Sequence, residues 1–170
     1  DLGGYVESER NIDQDGNAWV GGLARIGGNA RVFGNTHVRG NARIGDNAVI
    51  GGHAVIRGNA WVGDNAWVGG HAVIGGNAVI GDNAVIGGNA EVSNSGHIIV
   101  IGPIGSRNDY TTFCRSKDND IIVKCGCFNG NISEFLKKVN ETHGDNKYAA
   151  EYRAAAEIAK IHIDLEGEKT

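Results

Sequence analysis

The residues of this chain whose types could do chemistry recur at one spacing, eighteen positions. His53 and His71 stand eighteen apart, as do Asp46, Asp64 and Asp82, and as do Arg39 and Arg57. Two imidazoles one structural repeat apart can ligate a metal or serve as bases. The plainer reading is that each replaces an asparagine at a corner, because the same column runs Asn17, Asn35, His53, His71, Asn89. Three stacked carboxylates invite a hard cation or a basic side chain from a partner, or are solvated turn residues. Arg39 and Arg57, with Arg25, Arg31 and Arg43, make the N-terminal half of the repeat basic. That suits an anionic ligand or an acidic partner, and equally a solvated surface.

A second set lies outside that spacing. Gly105-Ser106-Arg107 can form an anion-binding turn from backbone N–H, hydroxyl and guanidinium, or an ordinary β-turn with a surface arginine. Cys125 and Cys127 read as sharing one strand face, a hairpin can bring Cys114 near, and His143 would complete a Cys3His zinc set. C-x-C is a poor zinc knuckle, however, and a free buried cysteine is a common small hydrophobe. A Cys127–His143 nucleophile pair has no identifiable third member.

The spacing of eighteen comes from a repeat of six. An aliphatic residue returns every sixth position from Val20 to Val92, and two residues before it stands alanine, with Thr36 the one exception. Residues two apart on a strand share a face, so both point inward and the residue between them points out. The other three positions are mostly Gly, Asp and Asn, which tolerate close turns and left-handed backbone. Each unit is thus a short strand and a corner. Three units close a triangular coil, and coils stack roughly 4.8 Å apart. The outward residues begin polar at Arg25, Arg31, His37 and Arg43. They turn apolar through Val49, Val55, Trp61, Trp67, Val73, Val79 and Val85, and return to polar at Glu91 and His97. Exposed valine can be ordinary strand propensity. With two tryptophans among them, the band reads as a surface covered by neighbouring subunits or by the C-terminal domain.

Ile44-Gly45-Asp46-Asn47-Ala48-Val49 is a typical unit, and thirteen such units in succession resemble the hexapeptide-repeat family. The resemblance covers about half the chain. It implies a left-handed parallel β-helix of about four to five triangular coils. It implies little about function, because the family includes acyltransferases, γ-type carbonic anhydrases and plain scaffolds. The three convergent histidines of the carbonic anhydrases cannot be assembled from His37, His53, His71 and His97. The loop with which the acyltransferases interrupt the coil has no counterpart between residues 17 and 97, which weakens a transferase reading with His53 or His71 as base. Leu2-Gly3-Gly4-Tyr5-Val6-Glu7-Ser8-Glu9, and later Gly105 to Asp109, Cys125-Gly126-Cys127-Phe128 and Glu141-Thr142-His143-Gly144, resemble hexapeptide-repeat proteins of bacterial genomes and prophages.

Residues 1–16 read as an N-terminal cap, 17–97 as the β-helix and 98–170 as a small α+β domain of sheet or hairpin plus two helices. In that domain strands are expected over His97 to Ile101, ended by Pro103, then over Tyr110 to Arg115 and Ile121 to Cys125. Asn131 is expected to cap one helix with Glu134 three residues on, and Asp145 to cap a second running to about Ile163. No stretch is apolar enough to span a membrane. Net charge −4 argues against nucleic acid as the main partner. Three cysteines, an odd and sparse set, favour a reducing, cytoplasmic setting. Methionine is absent even at position 1, so the numbering is expected to start inside a longer product from which an N-terminal signal could have been lost.

These observations lead to a non-enzymatic scaffold or binding protein that forms a homo-oligomer, with a trimer favoured, and needs no cofactor. The alternative is sequestration of an anionic, nucleotide-like small molecule at a subunit interface. The candidate ligand-binding residues are Ser106, Arg107, Arg39, Arg43 and Arg57. The third reading is the acyltransferase.

Overall fold

The computed structural model describes residues 3–165. Contacts divide the chain between Ser95 and Gly96 into two compact units. The first is a left-handed parallel β-solenoid of about five turns. Thirteen two-residue strands run from Trp19–Val20 to Glu91–Val92, and each pairs in parallel with the strand one coil away.

The repeat explains the interior. Every repeat alanine from Ala24 to Ala90 is at most 1% exposed, and so are the aliphatic partners from Ile50 to Val92. Thr36 sits in the same column, fully buried, and its Oγ1 donates to the Phe33 carbonyl at 2.8 Å, which removes the cost of an unpaired hydroxyl. The corners need left-handed backbone. Glycine fills most of them, and Asp46, Asp64 and Asp82 take φ of 54°, 50° and 51°. At Gly52 a Cβ would lie 2.9 Å from the Gly70 amide nitrogen, so side chains are excluded there by the next coil as well as by φ. Asparagine side chains form ladders outside the corners, with Nδ2 to Oδ1 distances of 3.0 Å for Asn17–Asn35, 3.0 Å for Asn41–Asn59 and 3.2 Å for Asn29–Asn47.

The stretch read as a cap extends one sheet of the solenoid. Tyr5–Val6 adds a strand beside Arg25–Ile26, and a short 3-10 turn at Glu9–Asn11 follows. Asn11 is buried, and its Nδ2 donates to the carbonyls of Gly28 and Ala30. At the other end the repeat stops after Val92, as its six-residue pattern implies. His97 is not an outward strand residue; it lies buried in a turn over Ser95–His97, 3.2 Å from an Arg115 guanidinium nitrogen.

The second unit is an antiparallel sheet with two helices. Its strands are Ile98–Ile104, Asp109–Arg115, Ile121–Cys125 and Phe128–Asn131, adjacent in that order. The first passes through Pro103 rather than ending there. It is an edge strand, where a missing amide costs no ladder bond, and its register shifts between Ile101 and Ile104. Helix α1 (Ile132–His143) has the expected capping box between Asn131 and Glu134. Helix α2 (Lys147–His162) is capped by Asn146, whose Oδ1 accepts from the amides of Tyr148 and Ala149. The expected cap, Asp145, accepts instead from Arg153 Nη1 at 3.1 Å. Phe113, Val123, Phe135 and Tyr152 form the core with Ala149, Ala155, Ala156 and Ala159 of α2. Among the described residues no helix is long and apolar enough to cross a membrane.

Candidate functional site

In the second unit, candidates scattered through the sequence line one cavity of about 480 Å³. Ser106 and Arg107 come from the turn after the first strand, Cys125, Cys127 and Phe128 from the last hairpin. Lys138, Thr142 and His143 come from the C-terminal half of α1, and Tyr152 from α2. Two glycines bring the turns this close. Gly105 has φ of +71°, and a Cβ there would lie 2.0 Å from the Tyr152 hydroxyl; its amide donates to Glu151 Oε2 at 2.6 Å. Gly126 has φ of +56°, and Arg107 Nε lies 2.9 Å from where its Cβ would be, so the guanidinium covers the hairpin turn.

Tyr152 is buried, with its hydroxyl against Gly105 and with Cys125, Ser106 and Arg107 as the side chains that act on it. Burial holds its acidity below that of an ordinary tyrosine, and Cys125 adds to this; Ser106 and Arg107 act in the opposite direction. At neutral pH the floor therefore carries an uncharged hydroxyl. Phe128, Phe135 and the Tyr152 ring make an apolar wall, with centroids 5.5 and 5.6 Å apart in succession, and the His143 ring lies 5.8 Å from that of Tyr152. Arg107 and Lys138 are exposed at the mouth, and no carboxylate lines the cavity among the described residues. The arrangement can hold an anionic group at the mouth against an apolar body inside. Sequence reasoning missed Lys138, Thr142, Phe128 and Tyr152. Only their types offered a signal, and Tyr152 sits in an alanine-rich stripe that reads as core.

The cysteines do not assemble as expected. Along antiparallel strands residues alternate faces. Cys114 pairs with Ile122 and Cys125 with Thr111, which places Cys114 and Cys125 on opposite faces of the sheet. Burial pushes the Cys114 thiol up to about 12. Cys125 ends its strand and accepts from Thr111 Oγ1 at 3.3 Å, while Cys127 lies exposed in the following turn. No group of three His, Cys, Asp or Glu side chains among the described residues could hold a metal ion.

On the solenoid, the rings of His53 and His71 stack at 4.8 Å and 12°, exposed at a corner where the asparagine ladders would run. The aspartates accept backbone bonds from one another: Asp64 N donates to Asp46 Oδ2 at 3.2 Å and Asp82 N to Asp64 Oδ2 at 3.0 Å. Arg57 lies along Gly75, and Arg39 lines an open groove beside Trp19 and His37. Arg43 pairs in register with Arg25. Of the apolar band, Val79 is 59% and Trp67 39% exposed, while Val49, Val55, Trp61, Val73 and Val85 are half-buried. Trp61 and Trp67 fold flat over Gly63 and Gly69, where a Cβ would lie 2.1 and 2.3 Å from ring atoms.

A family model described as bacterial transferase hexapeptide (six repeats) matches residues 23–58 and again 59–94. No curated protein and no solved structure matches the chain. The matched residues are the alternating alanine and aliphatic columns and the left-handed corners described above, and with its parallel β-solenoid the first unit fits the hexapeptide-repeat superfamily.

Proposed function

We propose that this is a non-enzymatic binding protein whose second unit captures a small anionic molecule with an apolar body. The observation that carries this reading is the convergence of Ser106, Arg107, Lys138 and His143 on an aromatic-walled cavity that has no acidic lining. A volume of about 480 Å³ is within the usual range for small-molecule sites. The uninterrupted solenoid supports binding over acyl transfer. His53 and His71 are exposed at a corner, with no inserted loop to exclude water from a reaction.

The test is native mass spectrometry of the intact protein before and after exposure to a small-molecule extract of bacterial cells. A discrete added mass is expected, lost in Arg107→Ala while far-UV circular dichroism is unchanged. No added mass, or one that survives Arg107→Ala, would refute the reading.

The exposed Val79 and Trp67 favour a second, compatible reading: the solenoid self-associates, with a trimer as the proposed state.

A further inference from the structure

Tyr5, Arg25, Arg43 and Trp61 occupy consecutive, register-matched positions on the outer face of one solenoid sheet. Adjacent strands lie roughly 4.8 Å apart, so two guanidinium side chains are held side by side between two aromatic ones. Like charges directly opposed across a strand pair are destabilising. Neither arginine forms an ion pair among the described residues. Two corner carboxylates stand nearby, held on backbone amides rather than paired to either arginine: Glu7 accepts from the Gly28 amide and Asp46 from the Asp64 amide.

One neighbouring face differs; the groove of the other, with Trp19, His37 and Arg39, likewise has no acidic lining but holds a single arginine. Arg31 shares its groove with Asp13 and Asp15, whereas the groove of about 420 Å³ that contains Arg25, Arg43, Tyr5 and Trp61 has no acidic lining. Its floor passes Gly27 and Gly45, and a Cβ at Gly45 would meet nothing within 4 Å. That open notch sits in the same groove as Arg43 and the half-buried Trp61.

We propose that this column is a binding site for a phosphate monoester carrying a planar ring. The phosphoryl group lies between the Arg25 and Arg43 forks, where a dianion matches two fixed positive charges. The ring lies in the Gly45 notch against the indole of Trp61. The site is separate from the cavity of the second unit and does not depend on it.

The experiment follows the Trp61 indole N–H resonance of the full chain, assigned by Trp61→Phe, during titration with phenyl phosphate, adenosine monophosphate, inorganic phosphate and phenol. Both ring-bearing phosphates should move the resonance, with dissociation constants on the order of 1 mM, and phenol should not. The shift should weaken several-fold with added salt. It should be lost in Arg43→Ser, in Arg25→Ser and in Gly45→Leu, which fills the notch without removing charge. It should persist in Arg107→Ala, which separates this site from the cavity. Unchanged circular dichroism of each variant confirms the fold. A shift that phenol reproduces, one that survives Arg43→Ser or Gly45→Leu, or the absence of any shift would overturn the proposal.

Discussion

Glu7 Oε2 accepts a hydrogen bond from the backbone amide of Gly28 at 2.7 Å. It does for the first coil what Asp46 does for Asp64 and Asp64 does for Asp82. Gly28 precedes these aspartates in their corner column and has no aspartate eighteen residues before it; a side chain from twenty-one residues upstream serves its amide. The column of like charges is thereby explained. Asp46 and Asp64 are each held on the next coil's amide, and amide bonds to a charged acceptor are among the stronger ones. Glu7→Ala should lower solenoid stability by about 1.5 kcal/mol, the low end for a bond to a charged acceptor because this one is exposed. Glu7→Gln, which keeps the acceptor, should lose less. Urea unfolding followed by tryptophan fluorescence measures both, and equal losses would show that the carbonyl oxygen is not what matters.

The same corner separates charge from conformation. Asp64 has φ of 50° and accepts from the Asp82 amide. Asp64→Asn keeps an acceptor, tolerates left-handed backbone and removes one like charge, so stability should stay within about 0.5 kcal/mol. Asp64→Ala loses the acceptor and places a Cβ-bearing residue at positive φ without compensation, and should cost about 1–3 kcal/mol. Thermal melts of the two variants check the order. A stabilising Asp64→Ala would mean that repulsion along the column outweighs both terms.

In the second unit, Gly105→Ala should be as damaging to the cavity as Arg107→Ala, by a different route. The added methyl meets the Tyr152 hydroxyl and adopts φ of +71°, so a loss of about 1–3 kcal/mol is expected together with loss of ligand. Arg107→Ala should lose ligand alone, since that side chain is exposed. Denaturation and ligand-binding measurements on both variants distinguish the two mechanisms; a Gly105→Ala protein of wild-type stability would sink this one.

How much of this was legible in the sequence depended on how far the period reached. Inside the repeat, two facts per unit decided everything: which residue faces in, and which residue lies eighteen away. The Arg25–Arg43 pairing and the His53–His71 stack therefore follow from numbers alone. His97 was misplaced because the six-residue frame was carried one unit past its end at Val92. Asn146 and Asp145 are both good caps on adjacent positions, and only the Arg153 contact with Asp145 decides between them. That a hairpin can bring Cys114 near Cys125 is visible in sequence, while the register parity that sets them on opposite faces is not. Tyr152 escapes notice because its neighbours Ala149, Ala155 and Ala156 mark its face as core, and it is core while also lining the cavity.

The two weakened acids, Cys114 and Tyr152, give an alkaline signature with a definite sign. A thiol whose folded value lies above its unfolded value stays protonated in the folded state after the unfolded chain has ionised. Its contribution is fully present below the unfolded value and is lost as pH rises through the folded one. For Cys114 that window runs from 9.0 to about 12, and Tyr152 shifts in the same direction. The second unit should lose stability across that range with a slope of about 1.4 kcal/mol per pH unit for one proton. Cys114→Ala should flatten the slope, and in the native protein only Cys127 should react rapidly with a thiol reagent. A slope unchanged by Cys114→Ala, or rapid labelling of Cys114, would contradict the burial argument.

Self-association is best tested away from the tryptophans. Trp67→Ser would remove ring contacts over Gly69 as well as any contact between subunits, so its effects on fold and assembly would be confounded. Val79 is 59% exposed, and the valine itself points out of an intact strand paired with Trp61–Val62. Val79→Lys keeps the rung, swaps an apolar surface for a charge and should change folding stability by no more than about 0.5 kcal/mol. If the apolar band is an interface, native mass spectrometry should show the oligomer of the wild-type chain replaced by a smaller species, with the melting of the isolated chain unaltered. A wild-type chain that is monomeric from the outset would show the band to be solvent-facing strand surface, with its two tryptophans there to cover the corner glycines they already lie against.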